Sequence, residues 1–176
     1  MAVIEAIATQ YLEADAASVT FDDIPSTYEH LQLRMSVRDI YPTTPTASIF
    51  IRLGDSAHTP VDTGANYTRF HITGAGSTAS AGTGWNNTEI WLGKASGGTA
   101  AAEAYGTLII DILDYANANK NTTVTGLVGI PTYLTFRAGL WLDTSVVNAV
   151  QMLSDGPATS TFARGSEFTL YGLNSA

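Results

Sequence analysis

From His30 to Arg38 the chain alternates without a break. Leu31, Leu33, Met35 and Val37 fall on one side, and His30, Gln32, Arg34, Ser36 and Arg38 fall on the other. A strict two-residue period marks a strand with one buried face and one wetter face, because successive side chains leave a strand in opposite directions. Ahead of it, Ser18 to Phe21 is a short β-prone run, and Ile24-Pro25-Ser26 interrupts it. Proline has no amide donor for a ladder and biases the preceding residue toward extended geometry. Residues 18–39 therefore read as strand, turn, strand, with a long central strand as the second.

The same signature recurs along the chain. Ser48 to Gly54 places Ile49, Ile51 and Leu53 on one face, and Asn66 to Thr73 sets Tyr67, Arg69 and His71 against Thr68, Phe70 and Ile72. Thr88 to Lys94, Thr122 to Gly129, Val147 to Leu153 and Glu167 to Leu173 are further β-like runs. Leu134 to Leu142 puts Leu134, Phe136, Ala138, Leu140 and Leu142 on a single face. Tyr105 to Ala116 fits two patterns, since Leu108, Ile109, Ile112, Leu113 and Ala116 also make a helical stripe. The isoleucine pair, Thr107 and Tyr105 select strand, and a helix stays open there.

Between these runs lie loops. Tyr41 to Pro45 is proline-rich, Asp55 to Ala65 carries Pro60, Ala95 to Ala102 is made of small residues, and Asp155-Gly156-Pro157 reads as a turn. Gly74 to Gly84, GAGSTASAGTG, has no side chain able to build a core, so the expectation is a flexible surface excursion. The opening residues 1–12 read as an N-terminal arm or edge strand, with Val3, Ile4 and Ile7 as apolar contacts for its own sheet or for a neighbour. Residues 13–176 read as one domain. About ten short strands with Gly/Pro turns and no fixed repeat predict an all-β fold: a two-sheet antiparallel β-sandwich, jelly-roll-like, with little or no helix.

Composition narrows the function classes. Only 14% of residues are charged while 45% are hydrophobic, and 16 acids against 8 Lys+Arg leave a net charge of −8. That balance repels a nucleic-acid backbone or an anionic membrane, so neither is expected as a partner. There is no cysteine, hence no disulfide and no thiolate metal site. No run approaches the roughly 18 apolar residues of a spanning helix, and MAVIEAIATQ lacks the basic start of a secretory signal.

A search for chemistry finds little. His30, His58 and His71 are far apart in sequence, with no HExxH or other ligand spacing, and read as ordinary surface histidines; His30 and His71 could face solvent on neighbouring strands. Asp22-Asp23 and Asp111…Asp114 lack the oxygen-rich spacing of a calcium loop and read as turn caps and an exposed strand face. No GxSxG elbow, P-loop or GxGxxG occurs. The expectation is no catalytic residue, no metal site, no cofactor and no enzyme.

Binding has more support. Trp85 and Trp91 bracket WNNTEIW, where Asn86 and Asn87 could bond sugar hydroxyls while Tyr67, Tyr105, Tyr133, Trp141 and Tyr171 supply further rings. The plainer reading places these tryptophans in the core or in a subunit contact.

Three stretches carry a resemblance: Ser18-Val19-Thr20-Phe21 with Ile24-Pro25-Ser26-Thr27-Tyr28-Glu29-His30-Leu31-Gln32-Leu33-Arg34, then Ile109-Ile110-Asp111-Ile112-Leu113-Asp114-Tyr115-Ala116-Asn117, then Phe162-Ala163 with Phe168-Thr169-Leu170-Tyr171-Gly172-Leu173. Together they resemble tailed-bacteriophage virion structural proteins. The resemblance implies a jelly-roll-like subunit located in the virion, with capsid or other virion proteins as partners and a homo-oligomer, a trimer, as its state. A capsid decoration (cement) subunit is the first expectation. A tail or fibre module that binds host-surface glycan is the alternative.

Overall fold

The computed structural model describes residues 3–155 and 160–175. Twelve strands follow one another: β1 (Val3–Tyr11), β2 (Ser18–Phe21), β3 (His30–Val37), β4 (Thr46–Gly54), β5 (Tyr67–Ala75), β6 (Thr78–Asn87), β7 (Ile90–Ser96), β8 (Gly106–Leu113), β9 (Thr122–Ile130), β10 (Tyr133–Trp141), β11 (Ala149–Asp155) and β12 (Glu167–Asn174). No helix occurs among the described residues. The Asp155-Gly156-Pro157 turn lies outside them except for its first residue.

Eight strands form one sheet in the order β1-β12-β3-β8-β9-β10-β5-β6, and four form a second in the order β2-β11-β4-β7. Every pairing is antiparallel. The chain is a jelly-roll-like β-sandwich, and it crosses between layers at every connection except β5 to β6, β8 to β9 and β9 to β10. Alternation explains the core. Leu31, Leu33, Met35 and Val37 of β3, Leu108, Ile110 and Ile112 of β8, and Phe168 and Leu170 of β12 turn inward from the large sheet. They meet Val19, Phe21, Ile49, Ile51, Leu53, Val150 and Met152 of the small one. Each such side chain withdrawn from water contributes about 1.5–3 kcal/mol, which is why the strand faces cannot be exchanged.

The ambiguous segment from Tyr105 resolves as β8. Its residues alternate between buried and exposed from Gly106 to Leu113, paired to β3 on one side and β9 on the other. The opening segment is an edge strand, zipped along β12 with an irregularity at Ile7, whose side chain packs on the core while Val3 and Ile4 stay exposed.

Three sequence expectations need correction. Gly74 to Gly84 is not a loose excursion: β5 continues through Ala75, turns at Gly76-Ser77, and returns as β6. Backbone ladders need no large side chains, and Gly76 takes the positive φ of 58° that a tight hairpin asks of its first turn residue. Ladder formation therefore outweighs the missing core residues. Second, His30 and His71 are not on neighbouring strands, since β8, β9 and β10 separate β3 from β5. Third, the apolar face of β10 turns outward. Leu134 and Phe136 are exposed while Thr135, Arg137 and Trp141 are buried, the reverse of what hydrophobicity alone selects.

Candidate interaction site

The outer face of the large sheet is where apolar side chains gather in the open. Register aligns Ile109 of β8, Leu127 of β9, Phe136 of β10 and Ile72 of β5 in one row across four strands. Exposure is 38% for Ile109, 50% for Leu127, 54% for Phe136 and 65% for Ile72. Leu134 and Phe70 flank the row, and Phe70, Ile72, Ala81, Thr83, Phe136 and Ala138 line a groove of about 320 Å³. Five strands at about 4.8 Å and eight residues at about 3.3 Å give the β8-to-β6 half of this face a projected area of about 600 Å². The other half is polar: Arg34 bonds Gln32 at 2.8 Å and lies over the Tyr171 ring, Gln32 donates to Asp111 at 2.8 Å, and Glu167 and Thr169 line a second groove of about 270 Å³.

The sequence-derived binding residues do not form one patch. Trp85 is 65% exposed and stands edge-on to Phe70 at 5.4 Å, at the end of the apolar row. It arrives there through a bulge opposite Thr68, where Asn86 takes a positive φ of 54°; such an insertion re-aims side chains. Asn86 is exposed, whereas Asn87 turns its amide toward the Tyr67 carbonyl at 3.5 Å. Trp91 is elsewhere, packed over the Arg137 guanidinium. Of the expected core or subunit-contact placement, Trp141 takes the core, whereas Trp85 is exposed and Trp91 half-buried. Tyr67 and Trp141 are fully buried and are not available to a sugar, and Tyr105 donates its hydroxyl to the Arg164 carbonyl.

Tyr67 and Trp141 instead lock the sandwich. Their rings stack at 6.5 Å, the Trp141 Nε1–H donates to Asp62 Oδ2 at 2.8 Å, and the Tyr67 hydroxyl accepts from the Leu53 amide at 3.1 Å. Burial works to raise the Asp62 pKa, but the bonds from Trp141, Asn66 and Gly64 together outweigh it and hold the carboxyl below its usual range.

On the sheet's other face, Arg69, His71 and Arg137 form a cationic cluster. His71 is the cross-strand partner of Arg137, and Arg69 that of Gly139. A Cβ at Gly82 would lie 2.5 Å from the His71 ring, and one at Gly84 3.0 Å from Arg69 Nε. The glycines of the small-residue hairpin thus make room for these two side chains. This cluster was not visible in sequence, where its members are up to 68 positions apart; paired glycines opposite two bases were its only trace.

One further cluster appears. Asp55, His58 and Asp143 each bring a ligand-type atom within 4.8 Å of the others. The Asp55 carboxylate is already taken by its turn, accepting from the amides of Ala57 at 2.8 Å and His58 at 2.6 Å, with His58 Nδ1 at 3.0 Å. Burial would raise its pKa; bonds from Ser145, His58 and Ala57 hold it low. The arrangement is a capped turn. His30 likewise serves locally, its Nδ1 accepting the Asp114 amide at 3.0 Å.

No family model matches the chain, and no curated protein matches it. Among solved structures it is similar to the alginate lyase Aly36B, with a TM-score of 0.41 and 11% identity over 95% of this chain and 79% of that one. It is similar also to the metal-free form of the Emp46p carbohydrate recognition domain, with a TM-score of 0.32 and 10% identity over 97% and 87%. For the alginate lyase vAL-1 from Chlorella virus the values are 0.26 and 8% over 93% and 84%. At these scores and identities the likenesses carry no argument about ligand or activity.

Proposed function

We propose that this chain is a non-catalytic structural subunit of a tailed-phage particle, of the capsid-decoration type, which adheres to a neighbouring particle subunit through the outer face of its large sheet. The observation that carries the reading is the open apolar row Ile109–Leu127–Phe136–Ile72 with Leu134 and Phe70 beside it. Its projected area is of the order of the ~800 Å² per partner that a standard interface covers. The resemblance of Ser18 to Arg34, Ile109 to Asn117 and Phe162 to Leu173 to virion proteins supports the particle setting. The few charges on the chain suit a neutral contact surface.

The test is co-sedimentation with stripped phage heads. The wild-type chain is expected to pellet with heads, and Phe136→Asp to remain in the supernatant with an unchanged circular dichroism spectrum. Equal binding by both proteins, or none by the wild type, would remove the proposal.

A second reading, a glycan-binding tail or fibre module, draws on Trp85. This ring is exposed beside Phe70 and next to the exposed side chain of Asn86, an arrangement suited to stacking on a sugar face. Glycan-array binding that Trp85→Ala abolishes would favour it; an array without hits would end it.

A further inference from the structure

Arg137 is 1% exposed, and its Nε and Nη2 have no hydrogen-bond partner. A buried guanidinium with idle donors is costly, so its retention calls for an acceptor. Nε–H and the adjacent Nη2–H share one edge of the planar group, and that edge receives two oxygens side by side, as a carboxylate offers them. The ring of Trp91 covers the guanidinium at 3.5 Å from its centroid and fixes its plane.

The surroundings are positive and uncompensated. His71 stands opposite Arg137 in the register and touches Trp91 edge-on at 5.2 Å, with Arg69 on the same side of β5. Among the described residues, Arg69, His71, Lys94 and Arg137 make no ion pair, while Arg52, Lys120 and Arg164 each face an acid. Arg38 is spent on the carbonyls of Gly98, Ala100, Ala101 and Ala104, and Arg34 on Gln32 and Tyr171. A chain of net charge −8 thus places two of its eight Lys+Arg residues, Arg69 and Arg137, beside a histidine with no acid paired to any of them among the described residues.

We infer that the cluster of Arg137, Arg69 and His71 binds a carboxylate group, carried by a small organic acid or by an acidic saccharide. Arg69 and His71 are half-buried and are the more accessible members of the cluster, so the ligand reaches Arg137 past them. Its two oxygens lie along Nε–H and Nη2–H, and Arg69 and His71 neutralise it from the β5 side. Burial first, and then the neighbouring charge of Arg69, push the Arg137 pKa down to about 10 despite the opposing influence of Tyr133. Burial, Arg137 and Arg69 depress that of His71. This inference is independent of the outer-face reading, since Arg69, His71 and Arg137 alternate with Phe70, Ile72 and Phe136 and lie on the opposite side of the sheet.

The experiment follows the Arg137 Nε–Hε resonance of the ¹⁵N-labelled chain, assigned from side-chain correlations, during titration with sodium acetate, sodium glucuronate, sodium sulfate and glucose. Acetate or glucuronate is expected to shift it saturably, and glucose to leave it unmoved. Glucuronate binding at least tenfold tighter than acetate identifies the saccharide as carrier; equal affinities identify the free acid. No shift by either acid up to about 50 mM, or a shift by sulfate alone, overturns the inference. Arg69→Gln, half-buried and outside the core, is expected to weaken binding about tenfold with an unchanged urea midpoint. Unchanged affinity in that variant also overturns it.

Discussion

Replacing Trp141 with phenylalanine isolates one bond in the lock between the sheets. The ring is fully buried, its Nε1–H donates to Asp62 Oδ2 at 2.8 Å, and Asp62 is itself only 2% exposed. Phenylalanine keeps the stack on Tyr67 but removes the donor and part of the ring. A hydrogen bond to a charged acceptor contributes about 1.5 kcal/mol or more net, and the lost ring atoms leave a small cavity worth about 1.5 kcal/mol, so the expected cost is about 3 kcal/mol. With a urea m-value of about 2 kcal/mol/M for a domain of this size, the midpoint falls by about 1.5 M. Equilibrium unfolding followed by far-ultraviolet circular dichroism measures this without relying on the deleted fluorophore. Asp62 still holds the Asn66 amide at 2.9 Å and the Gly64 amide at 2.7 Å, so the turn itself persists. Combined with Asp62→Asn, the double variant is expected to show coupling of about 1 kcal/mol or more. A loss below about 1 kcal/mol, or strict additivity, would refute the assignment of this bond as the lock.

The same carboxylate sets an acid response. Asp62 has a folded pKa below its unfolded one, so its contribution is complete above about pH 4 and is lost as pH falls through the folded value. Asp62→Asn should flatten the fall of urea midpoint with acid in that window, leaving the share due to Asp55. Gly139→Ala would press a Cβ to 2.5 Å from Ile90 and 2.8 Å from the Thr68 carbonyl, and should lower stability by about 2 kcal/mol in thermal melts. Gly82→Val should expel the His71 ring and loosen β6; hydrogen exchange is expected to speed up at β5–β6 amides and stay unchanged in β3 and β8. Deleting residues 2–10 should leave a folded sandwich weakened by about 2 kcal/mol, since β1 buries part of Ile7 and covers the β12 edge.

Sequence alternation recovers the covered strands best. In β3 one face meets the small sheet and the other meets water, so hydrophobicity and burial agree residue by residue, whereas in β12 Phe168 and Leu170 follow the rule and Thr169 is buried beside Thr9 of β1. Hydrophobicity and burial disagree in β10 and β5, where Leu134, Phe136, Phe70 and Ile72 point outward and Arg137 points in. A strand with an apolar outer face carries two apolar signals, and periodicity cannot rank them. In β6 the information lies in the backbone ladder and in the space left by Gly82 and Gly84, and neither registers as hydrophobicity. The cationic cluster escapes for a topological reason: β5 and β10 become neighbours only after the chain has passed through both sheets between them.

Hydroxyl-radical footprinting of the chain, free and mounted on phage heads, addresses the outer face most directly. The account predicts that Ile72, Leu127, Leu134 and Phe136 lose reactivity on mounting while Tyr105 keeps its own. Undiminished labelling of those four side chains, with protection appearing instead on the small sheet, would contradict it.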